Sequence, residues 1–235
     1  ISTISIKRRN IMSSMIHNNF ISWDSSNWGR ALHYISDNKN GSFKNKKVLE
    51  IGGANASLSR WAATDNGNVI CSDILAIDQQ VKAKNKYLKK GNIEFEIIDA
   101  LSIPYTNYFD YVIFKSVLGG IGRNNNYDAI LTVMKQIKKC LRNNGECLFI
   151  ENMKSTIFHH LIRKQFGAGK NGWYYPSIRD FVQLSKQFSS AKYRTFGLFG
   201  STGKPFLTSR KMIDKKIDQY VPEKWNYIYA GIYKK

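Results

Sequence analysis

VLEIGGANASLS, residues 48–59, starts with apolar and β-branched positions broken by one acid, Glu50, and then turns to small residues. A short apolar run of this kind reads as a buried strand. Two glycines and two alanines around Asn55 leave the backbone open to close approach by a ligand or a packed helix. The segment that follows, SLSRWAATDN, has helical spacing. Strand, small-residue loop and helix in that order are the opening half of a βαβ unit.

Working outward, the pattern repeats. NVICSDI, IEFEIIDA, FDYVIFKS and GECLFIEN read as further buried strands. Between them, DQQVKAKNKYLKK and YDAILTVMKQIKKCLRNNG have helical spacing, the latter stopping at NNG. AKYRTFGLF and WNYIYAGIYKK add two aromatic-rich strands near the end. Near the start, SSNWGRALHYIS reads as a helix capped by Ser25 or Ser26. The expected fold is α/β: a doubly wound sheet of about seven strands, mostly parallel, with an antiparallel C-terminal strand. One domain over 1–235 is expected. It would comprise an N-terminal helical cap (1–40), a ligand-binding core (41–152), and acceptor-side helices with the last two strands (153–235).

In such sheets ligands lie at the carboxyl ends of the strands. Those ends carry Glu50, Gly52 and Gly53 after the first strand and Asp73 after the second. Asp99 follows the third, Lys115 and Ser116 the fourth, and Glu151 and Asn152 the fifth. A dinucleotide loop would need G-x-G-x-x-G, but Gly52 is followed by Ala54 and Ser57 at the later positions. Glu50 would also face a pyrophosphate unfavourably. Asp73 stands about where the ribose-binding acid belongs, so a nicotinamide cofactor stays open as an alternative. A Walker loop is absent. A cationic ligand with a ribose and no phosphate suits the acids better. Glu50 would take an ammonium group, directly or through water, Asp73 both ribose hydroxyls, and Asp99 an adenine amino group.

The ordered set of motifs resembles the class I S-adenosylmethionine-dependent methyltransferases, which have a Rossmann-like sheet. VLEIGGANASLS is similar to their first motif, VICSDI to the second-strand acid, and IIDAL to the acid before the adenine pocket. FDYVIFKSVLGGIG is similar to the fourth-strand motif and CLRNNGECLFIEN to the helix–glycine–strand step after it. Ala54 and Ala56 depart from the family by standing where glycines are commoner. The resemblance implies S-adenosylmethionine as cofactor, held by Glu50, Gly52, Gly53, Ala54, Asp73, Ile74, Asp99, Ala100 and Lys115. FKSVLGGIGRNNN and ENM further resemble bacterial methyltransferases of surface-polysaccharide gene clusters, which implies a sugar or glycolipid acceptor.

Methyl transfer to oxygen needs a base. The candidates are Glu151 and then His159 and His160 in KSTIFHHLIRKQ, with His33 behind them. Acceptor contacts are expected from Trp28, Arg123, Trp173 and Tyr174, and Trp23 joins the same aromatic group. No metal site is expected. Cys71, Cys140 and Cys147 show no CxxC spacing, which fits core thiols in a reducing cytoplasm. There is no apolar run long enough to span a membrane, and ISTISIKRRN lacks a secretory apolar segment. The first residue is Ile, as in a trimmed chain or a piece of a longer protein.

Thirty-six Lys and Arg against 17 Asp and Glu give a net charge of +19. Such a field favours an anionic partner: a charged small-molecule, sugar or lipid-linked acceptor, an acidic membrane touched peripherally by 153–170, or RNA. Methylation of RNA ribose or ring nitrogen is the main rival reading. No Asn/Asp-Pro-Pro-aromatic run follows the fourth strand, and no Pro-Cys pair is present. A non-catalytic domain of the same fold is the third class.

Overall fold

A computed structural model of the chain describes residues 20–21, 24–78, 92–166, 171–199, 207–217 and 220–235. The elements are α1 (Ser25–Asn38), β1 (Lys47–Ile51), α2 (Ser57–Thr64), β2 (Asn68–Asp73), β3 (Asn92–Ile97), β4 (Phe109–Lys115), α3 (Leu118–Ile121) and α4 (Tyr127–Cys140). They continue with β5 (Leu141–Asn152), α5 (Ile157–Phe166), α6 (Ile178–Ser185), β6 (Ser190–Phe196), α7 (Leu207–Ile217) and β7 (Ile228–Lys234). The seven strands form one sheet in the order β3-β2-β1-β4-β5-β7-β6. Neighbours from β3 through to β5 run parallel, and β7 is antiparallel to both β5 and β6. The expected α/β sheet with an antiparallel C-terminal strand is therefore observed.

Successive strand residues serve opposite faces, because the side-chain period of a strand is two. Val48, Ile113, Leu148 and Ala230 pack under α1 and α2, with Trp28, Leu32, Leu58 and Trp61. Leu49, Val112, Phe114 and Phe149 pack on the other face under α4 and α6, with Val133, Met134, Ile137 and Phe181. Both faces of the central strands are covered, which is why β1, β4 and the later part of β5 read as nearly continuous apolar runs. The three cysteines are buried and unbridged.

Two local expectations shift. Asp24, rather than Ser25 or Ser26, caps α1, accepting from Asn27 N. Helix α4 ends at Cys140 and not at NNG; Asn144 instead takes a left-handed conformation (φ 66°) near the start of β5, where the register with β4 slips between Phe109 and Tyr111. The expected helix DQQVKAKNKYLKK falls mostly at 79–91, outside the described residues, as does Trp23.

Candidate functional site

The β1–α2 loop is folded tightly against β2 and β4. Gly52 is exposed and left-handed (φ 64°), and a Cβ there would come 2.7 Å from Val117 Cγ2. Gly53 is buried, donates its N–H to Ser72 O at 2.8 Å, and lacks the Cβ that would lie 2.5 Å from Cys71 Sγ. Ala54 is exposed beside them. Ala56, where a glycine is commoner, is left-handed (φ 52°) just before α2, a conformation that strains any residue with a Cβ.

Glu50 corrects the sequence reading. Its side chain is only 2% exposed and turned under the loop rather than out to a ligand. One carboxylate oxygen accepts from Leu58 N at 3.2 Å; the other accepts from Ser59 N at 2.7 Å and from the Ser59 hydroxyl. An anion beneath the first turn of a helix meets both the unpaired N–H groups and the positive end of the dipole. Glu50 thus fixes the loop that the glycines expose.

The other predicted cofactor residues line the open ends of the strands. Asp73 is half-buried, with Oδ1 accepting from Ile74 N at 2.8 Å. Asp99 is exposed, with Oδ1 accepting from Leu101 N at 2.8 Å. Among the described residues each carboxylate is oriented by one backbone donor and retains acceptor capacity. Ile74 is exposed and Ala100 half-buried alongside. Lys115 closes this edge; burial lowers its pKa, and the Glu50 carboxylate opposes the shift.

Beyond β4 the backbone turns sharply. Ser116 is left-handed (φ 54°), and its hydroxyl accepts from Asn152 Nδ2 at 3.3 Å. Glu151 lies beneath the same turn, fully buried, with Oε1 accepting from Val117 N and from Leu118 N at 2.9 Å. Its second oxygen has no partner among the described residues. Burial raises its pKa to about 8, and the two backbone bonds oppose the shift. Sealed beneath the turn, Glu151 holds Val117 and Leu118 in place, and its burial sets it apart from the cavity described below.

This burial carries a pH prediction. A carboxyl of about 8 in the folded chain and 4.5 when unfolded binds its proton more tightly when folded. Its contribution to stability is full below pH 4.5 and is lost as pH rises through 8. Glu151→Gln, which cannot ionise, should flatten the stability profile between pH 5 and 8 by an amount on the order of a few kcal/mol. Urea unfolding across that range measures it, and parallel profiles for the two proteins would refute the assignment.

Trp173 and Tyr174 meet the segment after Val117. A Cβ on Gly119 would fall 1.7 Å from Trp173 Nε1, and Tyr174 N donates to Gly119 O at 2.9 Å. The Arg123 guanidinium lies 5.7 Å from the Trp173 ring centroid. Beside them is a cavity of about 280 Å³ lined by Asn124, Asn125, His160, Arg163, Trp173 and Tyr175. Arg163 is held at its rim, donating to Met153 O at 2.8 Å and lying 4.3 Å over the Tyr175 ring. Sequence reading missed Arg163 and Tyr175. The spacing of His160 and Arg163, three apart on one helix face, was the available signal.

Two candidates are removed from the site. Trp28 is 1% exposed and packs from α1 into the core, so it is not placed to contact an acceptor. His159 stacks on Tyr227 with its Nε2 2.6 Å from Leu198 O, and burial lowers its pKa. Adjacent helix residues point about 100° apart, so His160 faces the cavity while His159 is pinned inside. His33 sits on α1 beside Asp37, 3.3 Å away.

Comparison with known proteins bears on the fold and the family. Phosphoethanolamine N-methyltransferase 2 of Haemonchus contortus, solved with S-adenosyl-L-methionine and also with phosphomonomethylethanolamine and S-adenosylhomocysteine, superposes with a TM-score of 0.60 at 14% identity. The match covers 88% of this chain and 52% of that one. A SAM-dependent methyltransferase of Methanosarcina mazei gives 0.59 at 13% identity over 86% of this chain and 96% of that one. At such identities the likeness is one of fold. Ribosomal protein L11 methyltransferases of two Prochlorococcus marinus strains, MIT 9215 and MIT 9301, are each 31% identical over 127 residues, 52% of this chain. The chain spans about 40% of the length of these curated relatives. The family model described as a methyltransferase domain matches residues 42–192, well over half of the sequence. The chain belongs to that methyltransferase-domain family.

Proposed function

We propose that this chain moves the methyl group of S-adenosylmethionine to a small anionic acceptor, by preference a hydroxyl of a sugar or lipid-linked sugar. The observation that carries the reading is the juxtaposition of two sites across the segment 117–123. On one side stand Gly52, Asp73 and Asp99 at the open strand ends; on the other is the aromatic and cationic cavity of Trp173, Tyr175 and Arg163. In this reading the exposed Gly52 backbone receives the methionine end, with Glu50 acting through the loop. Asp73 takes the ribose hydroxyls and Asp99 the adenine amino group. The acceptor oxygen attacks the methyl carbon in line; the O–C bond forms as the S–C bond breaks, and S-adenosylhomocysteine leaves. The hydroxyl proton passes to a base, for which exposed His160 is the candidate in the cavity. Arg163 would bind an acceptor phosphate or carboxylate, and Trp173 and Tyr175 a sugar face. A volume of about 280 Å³ suits a small molecule better than an RNA duplex. The phosphomonomethylethanolamine held by the Haemonchus contortus enzyme is likewise a small phosphate ester.

Calorimetric titration with S-adenosylhomocysteine tests the first half. Micromolar binding is expected, weakened about tenfold or more by Asp73→Ala as a charged hydrogen bond is lost. Absence of binding would overturn the reading, and NAD is the next ligand to titrate. Acceptor screening then compares phosphorylated sugars with RNA; Arg163→Ala should raise KM for the anionic acceptor more than it lowers kcat.

A further inference from the structure

On a neighbouring face, three segments distant in sequence form a second depression of about 620 Å³. Lys154, Arg179 and Lys224 surround it, and all three are exposed. Its lips are apolar: Ile157 is 80% exposed and Trp225 45% exposed. Leu161, 58% exposed, lies one turn beyond Ile157 on the same face of α5. Of these six residues, the sequence segment 153–170 supplies Lys154, Ile157 and Leu161, and the fold adds Arg179, Lys224 and Trp225.

The groove is built rigidly. Lys154 N donates to Pro176 O at 2.8 Å, and the Ser155 hydroxyl donates to Trp225 O, so all three segments are tied together. The nearby acids are already engaged. Asp180 forms a capping box with Ser177 and accepts from the Tyr174 hydroxyl at 3.1 Å, while Glu223 accepts from the Tyr193 hydroxyl at 3.1 Å. Among the described residues the lining of the groove carries three cations and no acid.

We propose that this face docks on an anionic lipid bilayer. Exposed aliphatic residues and a tryptophan ringed by cations are the composition of a peripheral membrane surface. The apolar groups enter the boundary of the acyl chains, tryptophan sits at headgroup depth, and each cation meets acidic headgroups. RNA would use the cations but gives exposed Ile157 and Leu161 no partner. The docking face includes α5, which also carries His160 and Arg163, so a docked chain holds its acceptor cavity close to the lipid.

The test separates this surface from the general effect of +19, which attracts any acidic vesicle. Co-sedimentation is measured with vesicles of phosphatidylcholine alone and of phosphatidylcholine mixed with phosphatidylglycerol. Wild type should bind the second and not the first. The triple variant Ile157→Ser, Leu161→Ser, Trp225→Ser keeps the net charge and should bind about tenfold more weakly or worse, from the apolar burial lost. Circular dichroism checks its fold. In a second measurement, lipids carrying a quencher in the upper acyl chain should quench tryptophan emission in wild type and markedly less in Trp225→Phe. Undiminished binding by the triple variant, or quenching unaffected in Trp225→Phe, would overturn the proposal. So would an RNA that binds wild type and is lost with the triple variant.

Discussion

Glu50→Ala is expected to lower the melting temperature of the ligand-free protein by roughly 6–12 °C, following a loss of about 3 kcal/mol. The mechanism lies in the four donors that the carboxylate serves, the Cys71 thiol at 3.6 Å among them. Without it, Leu58 N–H, Ser59 N–H and the Ser59 hydroxyl are left without an acceptor beneath a closed loop. Glu50→Gln keeps one carbonyl oxygen and should lose about half as much. A residue displayed for a ligand would behave oppositely, with the free protein unchanged and only cofactor affinity reduced. Thermal unfolding without and with S-adenosylhomocysteine distinguishes the two.

The second large effect is steric. Gly119→Ala places a methyl group 1.7 Å from Trp173 Nε1 and 2.4 Å from its Cδ1, so the indole or the α3 turn must move. Overpacking of this kind costs about 1–3 kcal/mol. If the indole moves, the wall of the acceptor cavity goes with it, while the β1–α2 loop stays in place. The expected result is a lower melting point with S-adenosylhomocysteine affinity within about threefold of wild type. The clash itself is isolated by a double-mutant cycle. In a Trp173→Ala background, Gly119→Ala should cost almost nothing, and an equal cost in both backgrounds would show that Trp173 is not what the methyl group meets.

The central strands β1, β4, β5 and β7 were legible because both their faces are covered, so each carries an apolar run in the sequence, while the outer strands β3 and β6 alternate with polar residues. Gly52 was legible for a related reason, since its left-handed backbone beside Val117 excludes any side chain. Glu50 was harder. An acid near the end of a strand looks the same in sequence whether it faces a ligand or turns under a helix, and only the fold reveals Leu58 and Ser59 above it. Glu151 hid for the same reason, its partners Val117 and Leu118 lying more than thirty residues earlier in the chain. Trp28 shows the limit for aromatics: its ring fills the core from a helix whose packing face the sequence left open. The cavity was least legible, because Asn124, His160 and Tyr175 meet only through the return of the 172–176 segment to Gly119.

Strand β7 makes an order of assembly necessary. It lies between β5 and β6 in the sheet yet follows both in the chain, and among the described residues β6 pairs with no other strand. As the chain emerges during synthesis, the sheet from β3 through to β5 can form, leaving β5 with an unpaired edge and β6 with no partner. An open edge of this kind is a template for pairing with another chain until β7 arrives. Substitutions that weaken β7, such as a proline at Ala230, should therefore show first as aggregation of newly made protein and only second as a lower melting point.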